Sequence, residues 1–197
     1  QLEEVMVTAR KVSESMQDTP VAMSAMSGNA MEAAGITSID ALVDRVPSLD
    51  ITPNGGLLKT ASIFIRGVGQ RAPTAHNDEA VGVYINDIFL SQAPPVLDVL
   101  DVESIQVLRG PQGTLFGKNI TGGALLYTTR KPDAEWSGSA AVSVGNDKAR
   151  TYQSSFNIPL IDDVLASRFS FSEAKRDGYV TNLANGEDDH GNKDQFT

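Results

Sequence analysis

Residues 107–132, VLRGPQGTLFGKNITGGALLYTTRKP, set Gly110, Gly113, Gly117, Gly122 and Gly123 between two apolar, strand-like stretches. Glycine reaches positive φ at little cost and lets backbones approach closely. A run this dense in glycine specifies either a compact set of tight turns between strands or a loop that cradles a phosphate or substrate. The two options make different demands on the neighbouring residues.

A phosphate-binding P-loop needs Gly, four residues, Gly-Lys, and then a hydroxyl for magnesium. Gly117-Lys118 has Gln112 in the first glycine position and Asn119 in the hydroxyl position, so the pattern fails twice. Residues 67–72, GVGQRA, fit a G-x-G-x-x-A dinucleotide fingerprint after the strand-like SIFIR, and Asp87 falls where a ribose-binding carboxylate belongs. That motif must open a helix whose N-terminus faces the pyrophosphate. Pro73 and the polar run TAHNDEA leave no apolar helical face there. Asn119-Ile120-Thr121 matches a glycosylation sequon and reads as turn chemistry. Glu187, Asp188, Asp189 and Asp194 lack the spacing of a calcium loop and read as a solvated acidic stretch. Asp98, Asp101 and Glu103 read as surface carboxylates, and no nucleophile, base and orienting group can be assembled. The chain is read as no enzyme.

Composition narrows the classes further. Lys and Arg number 16 against 25 Asp and Glu, a formal charge of −9, which argues against a nucleic-acid partner. There is no Cys, hence no disulfide framework or thiolate site, and only His76 and His190 are present for a histidine cluster. No apolar run approaches the ~18 residues of a membrane-spanning helix. A protein that meets the membrane with strands would pass this test unseen. The chain starts at Gln1, which reads as a processed form or an excised piece.

Three stretches differ in texture. Residues 1–19 are polar and extended, with Val5 and Val7 alternating against Met6 and Thr8, and are expected to be mobile. Residues 20–132 are globular and mixed. A helix is predicted over 27–34, capped by Ser27 or Asn29 and stopped at Gly35, and another over 38–46, ended by Pro47. Strands are predicted at 62–66, 81–86, 105–109 and 124–129. From Trp136 the pattern becomes strict alternation. Ala140, Val142 and Val144 oppose Ser139, Ala141 and Ser143; Tyr152, Phe156, Ile158 and Leu160 oppose Gln153, Ser155 and Asn157; Leu165, Phe169 and Phe171 oppose Ala166, Arg168, Ser170 and Ser172. Each stretch is near the ~9–11 residues of a tilted membrane strand. A soluble antiparallel sheet with one buried face alternates identically. The tail from 182 to 197 is polar and reads as a long loop.

The segment VESIQVLRGPQGTLFGKNITGGALLYTTRKP resembles the end of the plug domain of TonB-dependent outer-membrane transporters. Further matches follow in order. Glu4, Val5, Met6, Val7, Thr8 and Ala9 resemble the TonB box, while IRGVGQ at 65–70 and VGVYINDIFL at 81–90 resemble mid-plug strands. One departure is Asn86-Asp87 where the family has Asp-Gly, and both pairs form turns.

The resemblance implies an α+β plug, a small mixed sheet with short helices, over 20–132. From 133 to 197 it implies the first antiparallel strands of a transmembrane barrel of roughly 22 strands, and the start of an extracellular loop. The chain is then the N-terminal fragment of a larger transporter, since open strand edges are not viable in lipid. The implied function is uptake of a scarce solute, a ferric siderophore or similar chelate foremost, across a Gram-negative outer membrane. The implied partners are a TonB-type periplasmic coupling protein, outer-membrane lipid and the small ligand; no cofactor or metal is implied. Arg66 and Arg109 are expected to meet paired glutamates on the barrel wall, beyond Thr197. Gly67, Gly110, Gly113, Gly117, Gly122 and Gly123 are expected to form plug turns. Ligand contacts are expected at the plug apices, 57–61 and 70–79, with Gln70, Arg71, His76 and Asn77 as candidates. The other reading is a soluble periplasmic ligand-binding or signalling module, in which Leu165, Phe169 and Phe171 face a soluble core.

Overall fold

A computed structural model describes residues 6–9, 11–12, 14–53, 60–70, 79–90, 99–117, 120–161, 164–178 and 193–197. The chain divides into two units, 1–130 and 131–197. In the first, β1 (Met6–Val7) pairs with β2 (Glu14–Ser15), and β3 (Met23–Ser27) runs into helix α1 (Gly28–Ala33). A 3-10 helix (Ile39–Asp44) follows, then β4 (Leu49–Pro53), β5 (Ala61–Ile65), β6 (Val68–Gly69), β7 (Val81–Ile85) and β8 (Ile88–Leu90). The unit ends with β9 (Val102–Arg109), the single-turn helix α2 (Gly113–Phe116) and β10 (Gly123–Thr129). The central sheet has the order β3-β9-β10-β7-β8, with β10 and β7 parallel and the other pairs antiparallel. A smaller antiparallel sheet has the order β4-β5-β6.

Side chains in a strand point alternately to opposite faces, and both faces of the central sheet are buried. Val83, Ile105, Val107 and Leu125 point into a core shared with Met31, Ile39, Leu42, Ile51 and Ile65. Their neighbours Tyr84, Leu108, Ala124 and Leu126 point into a second, smaller cluster with Val7, Ala9, Met23 and Ile120. A two-faced sheet explains why IQVLR and ALLYTT read as continuous apolar runs rather than as alternation.

Helix α1 begins where its cap predicts. The Ser27 hydroxyl accepts the Ala30 N–H at 3.3 Å, and Gly35 at φ +68° takes the chain out. The helix predicted over 38–46 is instead 3-10. Ser38 makes no side-chain cap bond, and the Ala41 and Arg45 amides bond three residues back, to the Ser38 and Leu42 carbonyls. Pro47 disfavours the α conformation at Val46, so the short segment tightens rather than extends. Strands β3 and β4 carry no strong local strand signal, and pairing partners recruit them, as Leu108 does Met23; β6 and β8 fall within the segments 65–70 and 81–90.

The second unit is an antiparallel meander of β11 (Ser137–Val144), β12 (Arg150–Ile161), β13 (Leu165–Arg176) and β14 (Lys193–Phe196). β14 lies in the tail expected to be loop. It is held there by register, with Glu173 opposite Phe196 and Lys175 opposite Asp194, and not by its own composition. The burial of this sheet is inverted. Leu165, Phe169 and Phe171 are 49%, 61% and 38% exposed, and Val142, Tyr152, Phe156 and Leu160 are exposed as well. The buried residues lie on the other face and are small or polar: Ser155, Asn157, Ser172 and Ala174. Asn157, at 0% exposure, donates to Asp133 Oδ1 at 2.8 Å and accepts the Asp133 N–H at 3.2 Å.

Candidate functional site: a peptide docked on the second face of the central sheet

The second face of the central sheet receives the N-terminal segment. Val7 and Ala9 are fully buried there, among Met23, Tyr84, Leu108, Ile120 and Leu126. Between them, the Thr8 N–H donates to Gln106 Oε1 at 3.1 Å, and Gln106 Nε2 donates to Thr8 Oγ1 at 3.4 Å and to Ser104 Oγ at 3.3 Å. Gln106 projects from mid-β9 and is 1% exposed. Met6 and Val7 pair with Ser15 and Glu14, which folds the segment back on itself. The Lys11 ammonium lies 5.6 Å from the Phe116 ring centroid. The burial of Val7 and Ala9 and the two hydrogen bonds between Thr8 and Gln106, less the entropy of ordering, hold the segment by on the order of a few kcal/mol.

The polar, core-poor reading of residues 1–19 therefore fails at Val7 and Ala9. Two small apolar residues in polar surroundings carry no local signal. The cavity that receives them is made by residues about a hundred positions away, as the 98-residue separation of Thr8 and Gln106 shows. Glu4 and Val5 lie outside the described residues.

The glycine-rich segment walls the same cluster. Gly110 and Gly117 adopt φ +89° and +92°, and a Cβ on Gly123, at φ +148°, would stand 2.2 Å from the Leu108 carbonyl oxygen. Three of its amides are already used: Gly110 N–H donates to Gly122 O at 2.9 Å, Gly122 N–H to Ala80 O at 2.8 Å, and Gln112 N–H to Ile120 O at 3.2 Å. A phosphate cradle needs such amides free and convergent, so these turns serve the sheet. Gly113 opens α2, so the segment contains one helical turn besides its tight turns. Tyr84 donates to the Phe116 carbonyl at 2.7 Å, and burial raises its hydroxyl pKa above the ordinary value.

The two arginines occupy different sheets. Arg66 sits in the β5–β6 turn at φ +54°, donates its N–H to Ser48 O at 2.8 Å, and is exposed. Ser48, itself at φ +69°, lines with Leu49, Asp50, Phe64, Arg66 and Gly67 a recess of about 450 Å³. Arg109 ends β9, and its guanidinium donates to Ser24 Oγ, fastening the edge strand β3. Gln70 follows β6 and is half-buried, while Arg71, His76 and Asn77 lie outside the described residues. Among the described residues no group of three acidic or histidine side chains is arranged to hold a metal ion.

Sequence reasoning missed three residues. Gln106, inside the predicted strand 105–109, is buried and bonded to Thr8. Asn86, at φ +48°, does more than turn: its side chain accepts the Thr129 N–H at 3.0 Å and donates to Thr129 Oγ1 at 2.9 Å. Arg130 donates to Asn29 Oδ1 at 2.7 Å, Glu32 Oε1 at 3.3 Å and Val102 O at 3.3 Å, joining α1 to the ends of β9 and β10. Only the hairpin position of Asn86 carried a usable signal.

Comparison with known proteins gives a consistent result. The family described as TonB-dependent Receptor Plug Domain matches residues 15–124. The pesticin receptor of Yersinia pestis is 31% identical over 189 residues, 95% of this chain and 27% of the receptor. The vitamin B12 transporter BtuB of Vibrio vulnificus is 27% identical over 193 residues, 97% of this chain and 31% of the transporter. The crystal structure of the ferric yersiniabactin uptake receptor FyuA from Yersinia pestis superposes with a TM-score of 0.74 at 29% identity, over 87% of this chain and 27% of that one. The chain thus spans about 27% of the length of the first of these relatives.

Proposed function

This chain belongs to the TonB-dependent receptor plug-domain family, and from that premise we propose that it forms the plug and first barrel strands of an outer-membrane transporter. The transporter takes up a scarce solute, a ferric siderophore foremost, by energy drawn from a TonB-type coupling protein. The plug is the ligand-responsive gate, and residues 4–9 are the peptide the coupling protein captures. Arg66 and Arg109 carry the plug's charge contacts to the barrel wall, and loop residues around Gln70 meet the ligand. No bond chemistry is involved.

The observation that carries this reading is the inverted second unit. A sheet that exposes Leu165, Phe169 and Phe171 and buries Ser155, Asn157 and Ser172 suits lipid outside and a polar lumen inside. A soluble periplasmic module would turn those apolar side chains into its core, and their exposure counts against it. The siderophore class draws support from the FyuA likeness at 29% identity, although BtuB is a vitamin B12 transporter. Strand addition suits residues 4–9, because main-chain bonds supply affinity and alternate side chains supply specificity.

The test is uptake of radiolabelled ferric chelates by iron-starved cells. Cells producing the receptor are expected to accumulate iron, and deletion of residues 4–9 to abolish accumulation while surface binding of the chelate persists. Equal uptake by the deletion variant would overturn the coupling role. Accumulation of cobalamin in place of iron would overturn the siderophore assignment.

A further inference from the structure

A glutamine at 1% exposure in the middle of a central-sheet strand is costly unless its amide is satisfied. Here most of the satisfaction comes from one residue far away in sequence. Gln106 Oε1 takes the Thr8 N–H at 3.1 Å, Nε2 reaches Thr8 Oγ1 at 3.4 Å, and only the Ser104 hydroxyl, at 3.3 Å, is supplied by β9 itself. The flanking strand positions Ile105 and Val107 point into the main core, so Gln106 is the β9 side chain set among Leu108, Ala124 and Leu126 on the docking face. Val7 and Ala9, the residues before and after Thr8, are buried in the same cluster.

We propose that Gln106 is the latch that holds residues 6–9 on the plug, by pairing its side-chain amide with the backbone N–H and hydroxyl of Thr8. The pairing occupies the Thr8 N–H, one of the main-chain groups a strand-adding partner would need. Docked and captured states of the segment therefore exclude each other, and the strength of the latch sets how much of the segment is on offer. The apolar seat alone would let the segment slide or refold in register. A hydrogen-bonded pair within it fixes which residue lies at the centre, because a shift by one residue leaves the buried amide unsatisfied. This inference rests on the reading of residues 4–9 as the peptide handed to a coupling partner, but the latch itself can be tested without that partner.

The experiment is hydrogen exchange on the whole receptor, followed in peptides covering 6–12 and 123–129, for the native protein, Gln106→Met and Thr8→Val. Gln106→Met keeps length and volume and removes both polar ends. It is expected to speed exchange of the Thr8 amide by roughly 5- to 30-fold while β10 keeps its protection. Thr8→Val keeps the N–H bond to Oε1 and loses only the hydroxyl, so a smaller acceleration is expected. Unchanged exchange over 6–12 in both variants would overturn the latch. Equal loss of protection over 123–129 would do so too, by showing Gln106 to be a sheet residue only. If Gln106→Met does not accumulate, Thr8→Val decides alone: faster exchange supports the latch and native exchange overturns it. Binding of the purified periplasmic domain of the coupling protein separates the two readings. Faster exchange with tighter binding supports both, and faster exchange with unchanged binding upholds the latch while sinking the capture reading.

Discussion

Asn86 shows how much a single turn residue does in this fold. Both Asn86 and Asp87 take left-handed φ, +48° and +67°, as a tight hairpin of the primed type requires. Asn tolerates that conformation better than most residues. Its N–H continues the parallel ladder to Tyr127 O at 2.9 Å, and its side chain then bonds Thr129 where the β9–β10 register shifts. Asn86→Ala removes the side-chain bonds and leaves a Cβ residue at positive φ. The opening free energy of the Thr129 amide, read by hydrogen exchange, is expected to fall by about 1–3 kcal/mol; no change would mean that the ladder alone holds the strand end. The turn itself was legible in the sequence, from two turn-forming residues after VGVYI. The bond to Thr129 was not, because a partner 43 positions away leaves no trace in local pattern. Gln106 and Thr8 repeat the lesson at longer range. Polar residues inside a strand announce that a partner is needed, and never which one.

At the scale of elements, period and length were the reliable signals. β11, β12 and β13 fall where strict alternation predicts them, and α1 falls between its serine cap and its glycine stop. Short elements without internal pattern were illegible: β3 and β14 exist because β9 and β13 offer them a ladder. Alternation also left one question open, since a soluble sheet and a membrane sheet share it. The structure puts the apolar faces outside, which favours the membrane reading. A charge on that face is therefore expected to be expensive in lipid. Phe169→Arg, at mid-strand in β13, should reduce folding of the receptor into vesicles by about 2–4 kcal/mol. Ser143→Arg, on the opposite face of β11, should leave it within about 1 kcal/mol. Equal effects of the two, measured by the urea midpoint of folding into vesicles, would contradict the assignment of faces.

At the scale of the whole molecule, a two-faced sheet is what the proposed gate would be built on. One face carries the main core and gives the domain its stability. The other carries a small cluster that Val7 and Ala9 complete, separate from the main core. The glycine-rich stretch closes that cluster, with its Gly110, Gln112 and Gly122 amides bonded within the fold as tight turns require. All of this serves uptake only if the second unit lies in a membrane, with Leu165, Phe169 and Phe171 toward lipid. Spin labels placed in turn at each position from 165 to 172 of the whole receptor in bilayers test that directly. Lipid-soluble oxygen should reach the labels at 165, 167, 169 and 171, and the even positions should be shielded from it. Odd positions shielded from oxygen, or the same accessibility along the whole strand, would contradict the account.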